Sequence, residues 1–440
     1  MIARSLLAFA LLCFGTLARA EIEIVEITSD GGIDAWVVEE PEIPFVALEI
    51  RFKGGAALDR ADRRGAVNLM TGLLEEGSGE MDAQAFQTAR EALAARFSFR
   101  AFDDTIAISA QVLTENREEA LALLEQAITA PRFDQDAIDR VRAQVLAGIA
   151  ADAKDPNSLA SEAFNAAAYG DHPYGSSTSG TEESVTALTR EDLLAAHADT
   201  LTRDRLYVSV VGDITAEEVG PMLDALLGAL PAEGPPPPPD VAFGLDGGLT
   251  VVEFETPQAV ALFGQDGMKR EDEDFFAAYI MNHVLGAGSF ESRLMEEVRE
   301  KRGLTYGIRT FLVPRFHAEV LLGSVASSNA TMGEAIEVIR AEWARMAETG
   351  LTEEELAEAK TYLTGEYPLR FDGNGEIAKI MVGMQMIDLP PDYVIDRNDY
   401  IEAVTLEDVN RVAAELLDPE GLHFVVVGQP ADLVTGPFAE

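Results

Sequence analysis

The chain has 440 residues, which is long enough for two or three domains with a sizeable core in each. Hydrophobic residues make up 47% and charged residues 25%, as in globular proteins and unlike disordered ones. The formal net charge of −44 disfavours nucleic acid and anionic membranes as partners. With a single cysteine, Cys13, the chain can form neither an intramolecular disulfide nor a zinc site built from several thiolates.

The amino terminus has the pattern of a secretory signal peptide. Arg4 precedes an apolar run at 6–14, and Ala18-Arg19-Ala20 offers small residues for cleavage. The apolar run is too short to cross a bilayer as a helix, and a lipoprotein site at Cys13 lacks the small residue normally found before the cysteine. We therefore expect residues 1–20 to be removed and the product to be exported, periplasmic in a bacterium, without membrane insertion.

The first half of the mature chain reads as a mixture of strands and helices. After a β-rich start, apolar residues at helical spacing from Ala66 to Leu74 predict a helix. Two alternating runs, Phe97–Phe102 and Thr105–Ser109, predict a hairpin around Asp103-Asp104. A helix at 116–130 and a Val-rich strand, Leu206–Gly212, complete this half.

A proline-rich segment divides the chain. Residues 231–240 include five consecutive prolines, Pro235–Pro239, which favour an extended polyproline conformation and cannot continue a helix or a central strand. We interpret 231–240 as a linker between a first domain, 21–230, and a second domain, 241–440.

The two halves resemble each other. Four matched segments occur in the same order: Val46–Leu48 with Val260–Leu262 and Asn68–Gly72 with Asn282–Gly286, offset by 214, then Thr189–Leu193 with Thr405–Val409 and Leu206–Gly212 with Leu422–Gly428, offset by 216. The second half also has a helical pattern at 275–284, a hairpin pattern at 304–322 and a helix at 332–348. These patterns predict an α+β fold made of two duplicated halves, each an antiparallel-rich sheet with helices packed on one face.

One segment of the second half carries a family resemblance. Residues 286–307, from Gly286-Ala-Gly-Ser-Phe to Leu304-Thr-Tyr-Gly307, resemble the second-half signature of the insulinase or pitrilysin family of zinc peptidases. That family includes mitochondrial processing peptidase and its bacterial two-subunit relatives. Asp171-His-Pro-Tyr-Gly175 and Tyr367-Pro-Leu-Arg-Phe-Asp372 are similar to the family as well, so that the resemblance covers about 22–438.

The resemblance fails at the metal site. In the family, a His-x-x-Glu-His helix in the first half binds zinc and supplies a glutamate that activates water. The matching positions here are Asn68, Thr71 and Gly72, and the position of the family's further glutamate ligand matches Gly148. We therefore expect no metal in this chain, and the resemblance implies that zinc is held by a homologous partner subunit with an intact His-x-x-Glu-His helix.

Other polar residues do not suggest a replacement site. The five histidines include no pair at i, i+3 or i+4 spacing, and we interpret them as structural, with His172 stabilising its Asp-His-Pro-Tyr turn. The acidic pairs Glu75-Glu76, Asp103-Asp104 and Glu296-Glu297 are interpreted as solvated turns or faces. A paired-carboxylate active site stays open as an alternative.

Arg299 and Tyr306 are the candidate catalytic residues. A short helix that buries Val298 is expected to end at Gly303, with Tyr306 on the following strand. A guanidinium and a phenol from adjacent elements can both donate hydrogen bonds to a substrate carbonyl as it becomes an oxyanion, which is the role that the resemblance implies. The alternative is a surface ion pair of Arg299 with a neighbouring glutamate, beside an ordinary strand tyrosine.

Gly286 and Gly288 have two interpretations. They can end the preceding helix and form a turn. They can also form a flexible loop that contacts an extended peptide, as the resemblance to noncatalytic subunits implies.

Three hypotheses about function follow. In the first, the chain is the noncatalytic subunit of a heterodimeric zinc metalloendopeptidase that cleaves peptides, and its acidic surface steers basic peptides inward. In the second, it is a catalytically inert peptide-binding or assembly-scaffold protein of the same fold. In the third, it is an independent hydrolase that uses carboxylates.

Overall fold

The computed structural model describes residues 22–431 and 433–438. The signal-peptide prediction for residues 1–20 lies outside this part of the chain. No helix in the described ranges is both long enough and apolar enough to cross a membrane.

The first half forms a mainly antiparallel sheet. Its strands in the described chain are β1 (Val25–Thr28), β2 (Asp34–Glu39), β3 (Phe45–Lys53), β6 (Arg96–Ala101), β7 (Thr105–Leu113) and β8 (Leu206–Gly212). These six strands lie in the order β1-β2-β8-β3-β7-β6, and among them only β2 and β8 run parallel. A two-stranded pair, β4 (Gly77–Ser78) and β5 (Met81–Asp82), lies apart from it.

The second sheet repeats this connectivity without the first strand. Its strands are β9 (Gly248–Glu253), β10 (Gln258–Asp266), β11 (Thr305–Pro314), β12 (Glu319–Ser328) and β13 (His423–Gly428). Among the described residues these strands lie in the order β11-β12-β10-β13-β9, again with one parallel pair, β13 with β9. Equivalent strands occupy equivalent places, which confirms the predicted α+β fold with two related halves.

Helices follow the strands in both halves. Those of the first half are α1 (Ala66–Thr71), α2 (Ala83–Ala92), α3 (Arg117–Thr129), α4 (Gln135–Asp152), α5 (Pro156–Tyr169), α6 (Glu182–Ala187), α7 (Arg190–Thr200) and α8 (Ala216–Leu227). Those of the second half are α9 (Phe275–Asn282), α10 (Met332–Thr349), α11 (Glu353–Glu366), α12 (Asn374–Met386), α13 (Tyr393–Ala403) and α14 (Leu406–Leu416). Helices α7 and α14 begin with the same capping box, Thr189 with Asp192 and Thr405 with Asp408, which explains their matched sequences.

One internal sequence match is wrong by a single residue. Val46 pairs with Gly212, whose equivalent in the second half is Gly428. Val260, the predicted equivalent of Val46, pairs with Val427 instead of Gly428. The core-facing equivalent of Val46 is therefore Ala259, and Val260 faces the opposite side of its sheet. Because side chains alternate across a strand, a shift of one residue moves each of them to the other face.

The prediction that helices cover one face of each sheet is incomplete. Helix α12 of the second half packs on the outer face of the first sheet, where Met381 contacts a cluster with Trp36 and Val211. Helix α5 of the first half packs in the same way on the second sheet, through Phe164 and Ala168. The halves thus exchange one helix each, and residues 231–240 connect them outside any helix or strand.

The two equivalent hairpin turns meet where the halves join. Asp103, in the β6–β7 turn, forms an ion pair with Arg315, in the β11–β12 turn. The Tyr174 hydroxyl donates to Asp104 Oδ1 at 2.5 Å and accepts from the His317 backbone N–H at 3.2 Å. Burial raises the pKa of Asp103, although nearby arginines oppose the rise. The interpretation of Asp103-Asp104 as a solvated turn was wrong, because sequence does not reveal the opposing turn.

The other acidic pairs are also less free than expected. Their ion pairs are Glu75 with Arg90, Glu76 with Arg140, Glu296 with Lys301, and Glu297 with Lys301 and Arg302. Glu297 is buried, and hydrogen bonds from Lys301 and Arg302 lower its pKa. These carboxylates neutralise arginines and lysines of the fold.

Candidate functional site

Arg299 lies in a π-helix, Met295–Glu300, that packs its inner side on strand β11. Leu294 and Val298 are fully buried, as predicted, and the Met295 sulfur accepts the Ile308 backbone N–H at 3.5 Å. The i→i+5 bonding of a π-helix is uncommon and is frequent at functional sites. Arg299 is thereby left at the surface end of a buried segment.

The Arg299 guanidinium contacts an aromatic ring. Its Cζ lies 4.7 Å from the centroid of Phe290, whose side chain is exposed. No ion pair between described residues involves Arg299, since Glu296 pairs with Lys301 instead. A cation–π contact orients the guanidinium while leaving its N–H donors available. Sequence reasoning missed Phe290, although it stands inside the signature segment.

The helix ends and the chain reverses at Gly303. This residue has φ +67, a conformation that glycine adopts without strain, and its N–H bonds the Arg299 carbonyl at 2.8 Å. The Leu304 N–H bonds the Val298 carbonyl at 2.9 Å. The predicted stop at Gly303 is confirmed, and it links Arg299 closely to the start of β11.

A β-bulge presents Tyr306. Thr305 pairs with Ser327 and Ile308 with Val325, so that two residues of β11 oppose Ala326 alone. The Thr305 hydroxyl lies 2.6 Å from the Ala326 carbonyl oxygen and accepts the Gly307 N–H at 3.0 Å. Bulges re-aim side chains, and here Tyr306 is 86% exposed.

An ion pair anchors the segment that carries Arg299. Arg293 binds Glu355 through two bonds, Nε to Oε1 at 2.7 Å and Nη2 to Oε2 at 2.8 Å, and also donates to the Gly350 carbonyl at 2.8 Å. Burial opposes ionisation of Glu355, but the bonds from Arg293 and from Thr352 prevail and lower its pKa to about 2.

Gly286 and Gly288 lie in a second π-helix, His283–Ala287, and its C-cap. Gly286 is buried, and a Cβ there would lie 2.5 Å from Thr310 Oγ1. Gly288 approaches the His283 carbonyl, which its own N–H bonds at 2.8 Å. The helix-ending interpretation fits Gly288, which is the C-cap, whereas Gly286 lies inside the π-helix and is close to Thr310. Contact of either glycine with a peptide stays a prediction.

The matched zinc positions offer no metal site. In α1, Asn68 is half-buried, Thr71 is buried with its hydroxyl donating to the Val67 carbonyl at 2.7 Å, and Gly72 has no side chain. A Cβ on Gly72 would lie 3.2 Å from Val141 of α4. Gly148, further along α4, is exposed with open space around it.

The part of the chain that the structure describes holds no alternative metal cluster. Within 22–431 and 433–438, no group of three or more His, Cys, Asp or Glu side chains is arranged to hold a metal. His172 caps its turn by accepting the Tyr174 N–H at 3.2 Å, which confirms its structural interpretation. The residues at the four matched positions therefore do not fit zinc, since none of them offers a histidine, cysteine or carboxylate ligand.

A buried carboxylate fixes the start of α1. Asp59 accepts the N–H groups of Gly65 at 2.8 Å and of Val67 at 2.9 Å, and Arg64 lies 3.6 Å away. Burial raises the pKa of Asp59 to about 6 despite these bonds. Since both oxygens serve the helix terminus, Asp59 is occupied structurally.

The structure thus places Arg299 on the π-helix that precedes β11 and Tyr306 at the bulged start of β11, with no hydrogen bond or ring contact between the two among the described residues. It does not join them to α1: no hydrogen bond, ion pair or ring contact between described residues links either side chain to Asn68, Thr71 or Gly72. The chemistry available at this end of β11 is hydrogen-bond donation to an oxygen atom of a bound molecule.

Comparison with known families matches both parts of the chain. Residues 36–182 match the family described as insulinase (peptidase family M16), and residues 187–363 match the family described as peptidase M16 inactive domain. Together these matches cover most of both sheets.

Curated relatives have similar lengths. A Helicobacter pylori protein called non-peptidase homolog YmxG is 25% identical over 388 residues, which cover 88% of this chain and 89% of the relative. An uncharacterized zinc protease of Mycobacterium leprae is 27% identical over 401 residues, which cover 90% of this chain and 89% of that protein.

Solved structures share the whole fold. The peptidase M16 inactive domain from Pseudomonas fluorescens superposes with a TM-score of 0.88 at 27% identity, covering 95% of this chain and all of that one. A Helicobacter pylori protease superposes with a TM-score of 0.82 at 17% identity, and the match covers 92% of this chain and 99% of that protease. The chain therefore belongs to the insulinase (M16) peptidase family, and it has Asn68, Thr71 and Gly72 at the positions that match the metal-binding motif of that family.

Proposed function

We propose that this chain is the noncatalytic subunit of an exported, heterodimeric zinc metalloendopeptidase. The observation that carries the proposal is a contrast between two regions. The positions matched to the zinc ligands carry no side chain that can bind a metal. Arg299, by contrast, lies on a π-helix and is oriented by a cation–π contact, and a β-bulge exposes Tyr306. This contrast is what a subunit requires that binds the substrate carbonyl but holds no zinc.

Each residue has a defined part in the proposed reaction. The Arg299 guanidinium and the Tyr306 hydroxyl donate hydrogen bonds to the carbonyl oxygen of the peptide bond to be cleaved. These bonds strengthen as negative charge develops on that oxygen, so they stabilise the transition state more than the bound peptide. A homologous subunit with His-x-x-Glu-His supplies the zinc and the activated water.

The inert scaffold is the second candidate. It is favoured by the Helicobacter pylori relative, whose name denies it peptidase activity, and by the inactive-domain description of the matched family. A scaffold has no need for hydrogen-bond donors directed at a substrate. The two candidates therefore differ in what happens when those donors are removed.

The decisive experiment reconstitutes the pair. The purified chain is mixed with a homologous His-x-x-Glu-His subunit from the same organism, and peptide cleavage is followed with each chain alone and with both. We expect cleavage only from the pair, and a loss of about 10²–10³ in kcat with Arg299→Ala or Tyr306→Phe.

Matched variants separate catalysis from folding. Arg60→Ala removes an exposed arginine that pairs with Asp199 of α7, and Tyr400→Phe removes a hydroxyl from a half-exposed tyrosine of α13. Both should leave the rate unchanged. If the site variants behave like these controls, the scaffold interpretation is correct and the roles of Arg299 and Tyr306 are refuted.

A further inference from the structure

A basic cavity lies on the first sheet beside α12. Its volume is about 480 Å³, within the range of small-ligand pockets. Helix α12 covers β8 and β3 and leaves the same face of β7 and β6 open, so the cavity has a sheet as its floor and Gly375 and Lys379 of α12 as one wall. We propose that this cavity binds carboxylate groups of peptides.

The floor is a grid of cross-strand neighbours. Strand pairing places Arg51, Ala107 and Arg100 in one row, since Ala107 is the partner of both arginines. Gln111 likewise connects Ala47 to Arg96 in another row. Because residues two apart on a strand share a face, all these side chains point to the α12 side, away from the main core of the first half.

The charge of the lining is opposite to that of the chain. Four basic side chains line the cavity, Arg51, Arg96, Arg100 and Lys379, against the single carboxylate of Glu49. The surplus of three positive charges stands out in a chain with a net charge of −44. A concave surface of one sign concentrates its field on ligands of the opposite sign.

Two of the four cations are available. Arg51 is paired with Glu49 at 2.7 Å, and Lys379 with Glu376 at 2.7 Å. Arg96 and Arg100 are exposed, and neither takes part in an ion pair between described residues. A bound carboxylate therefore gains a guanidinium fork without displacing an existing partner.

The spacing of the free arginines suggests how a peptide engages them. Residues four apart on a strand are separated by about 13 Å, so Arg96 and Arg100 present two anchors at that distance on one face. An extended peptide with acidic residues four positions apart presents carboxylates at the same interval. A C-terminal carboxylate offers the same chemistry at one anchor. The choice of peptides as the ligand class rests on the proposed function, but binding to the cavity does not require the partner subunit.

The test measures binding to the isolated chain. Fluorescence anisotropy is recorded with four labelled peptides of about 12 residues. One sequence has two Glu four positions apart, and the other has Gln at both of these positions. Each sequence is made with a free and with an amidated C-terminus. We expect the acidic peptide to bind about five- to tenfold more tightly than its Gln version, and the difference to shrink as salt is raised. Sensitivity to Glu→Gln assigns the carboxylate to side chains, whereas sensitivity to amidation assigns it to the C-terminus.

Variants locate the binding. Arg96→Gln with Arg100→Gln should abolish the preference for the acidic peptide, whereas Arg60→Gln, which is not part of the cavity lining, should not. Thermal unfolding verifies that the double variant is folded, and Lys379→Gln, on the wall, gives a second and smaller loss. Equal binding of all four peptides, or an unchanged preference in the double variant, overturns the inference. Both results are independent of the cleavage assay with the reconstituted pair. A negative binding result therefore does not contradict the proposed function, and a negative cleavage result does not contradict the carboxylate site.

Discussion

Arg293 and Glu355 form a two-bond ion pair that fastens the segment preceding Arg299 to helix α11. Both side chains are largely shielded from solvent, and Arg293 also binds the Gly350 carbonyl at the C-terminal end of α10. The catalytic candidate thus depends on a contact between residues 62 positions apart in sequence. This pair should be visible in stability and in its pH dependence.

Glu355 should contribute stability that is lost in acid. Because its pKa is lowered from 4.5 to about 2, the folded state binds the proton less readily than the unfolded state. The contribution is complete above about pH 4.5 and disappears as the pH falls toward 2. Allowing for solvent screening, we expect about 1–2 kcal/mol.

Urea unfolding of wild type and Glu355→Gln, measured between pH 7 and pH 2.5, checks this effect. The difference in unfolding free energy should be constant near neutrality and narrow below pH 4.5. Glu353→Gln, on the same helix turn but without this partner, is the matched control. If the difference in unfolding free energy between wild type and Glu355→Gln did not change with pH, Arg293 would act through packing and not through its charge.

Gly286 should tolerate no side chain. A Cβ would lie 2.5 Å from Thr310 Oγ1 and 2.8 Å from its Cγ2, so Gly286→Ala must displace the π-helix from β11. We expect a loss of about 1–3 kcal/mol in unfolding free energy and a lower rate in the reconstituted peptidase.

Gly148→Ala is the opposite case. Gly148 lies in α4 with open space at the Cβ position, so alanine should stabilise the chain by up to about 1 kcal/mol. Chemical denaturation of both glycine variants measures the contrast. Equal effects at the two positions would contradict the close approach of Gly286 to β11.

The Thr305 hydroxyl should position Tyr306. Thr305→Val keeps the shape of the side chain but removes the bonds to the Ala326 carbonyl and the Gly307 N–H, at a cost of about 1–2 kcal/mol. Tyr306 should then be misdirected, which lowers kcat in the reconstituted assay more than it raises KM. Thr305→Ser, which retains the hydroxyl, should restore kcat; a rate that follows stability alone would mean that the bulge does not position the ring.

Restoring the family motif should not restore metal binding. In the variant Asn68→His, Thr71→Glu, Gly72→His, the new residue 72 is crowded by Val141, and Gly148 still supplies no ligand. Metal analysis after dialysis should find less than one zinc per chain, and the variant alone should not cleave peptides. One tightly held zinc with chelator-sensitive cleavage would show that α1 and α4 adjust more easily than their packing indicates.

The sequence by itself determined the local structure and the family. The hairpins, the helix at 332–348, the stop at Gly303 and the burial of Val298 follow from side-chain periodicity and from the conformational freedom of glycine, which act over a few residues. The positions that match the zinc ligands, by contrast, came from the resemblance to the family signature, which sequence shows because the motif is local.

Only the tertiary structure decided how distant segments meet. The pairing register of Val260, the exchange of α5 and α12, the contact of Asp103 with Arg315 and the anchor between Arg293 and Glu355 all join residues far apart in the chain. Periodicity shows that a side chain is buried or exposed but not which neighbour it receives. The basic cavity has the same origin, since it exists where α12 stops covering a sheet that belongs to the other half.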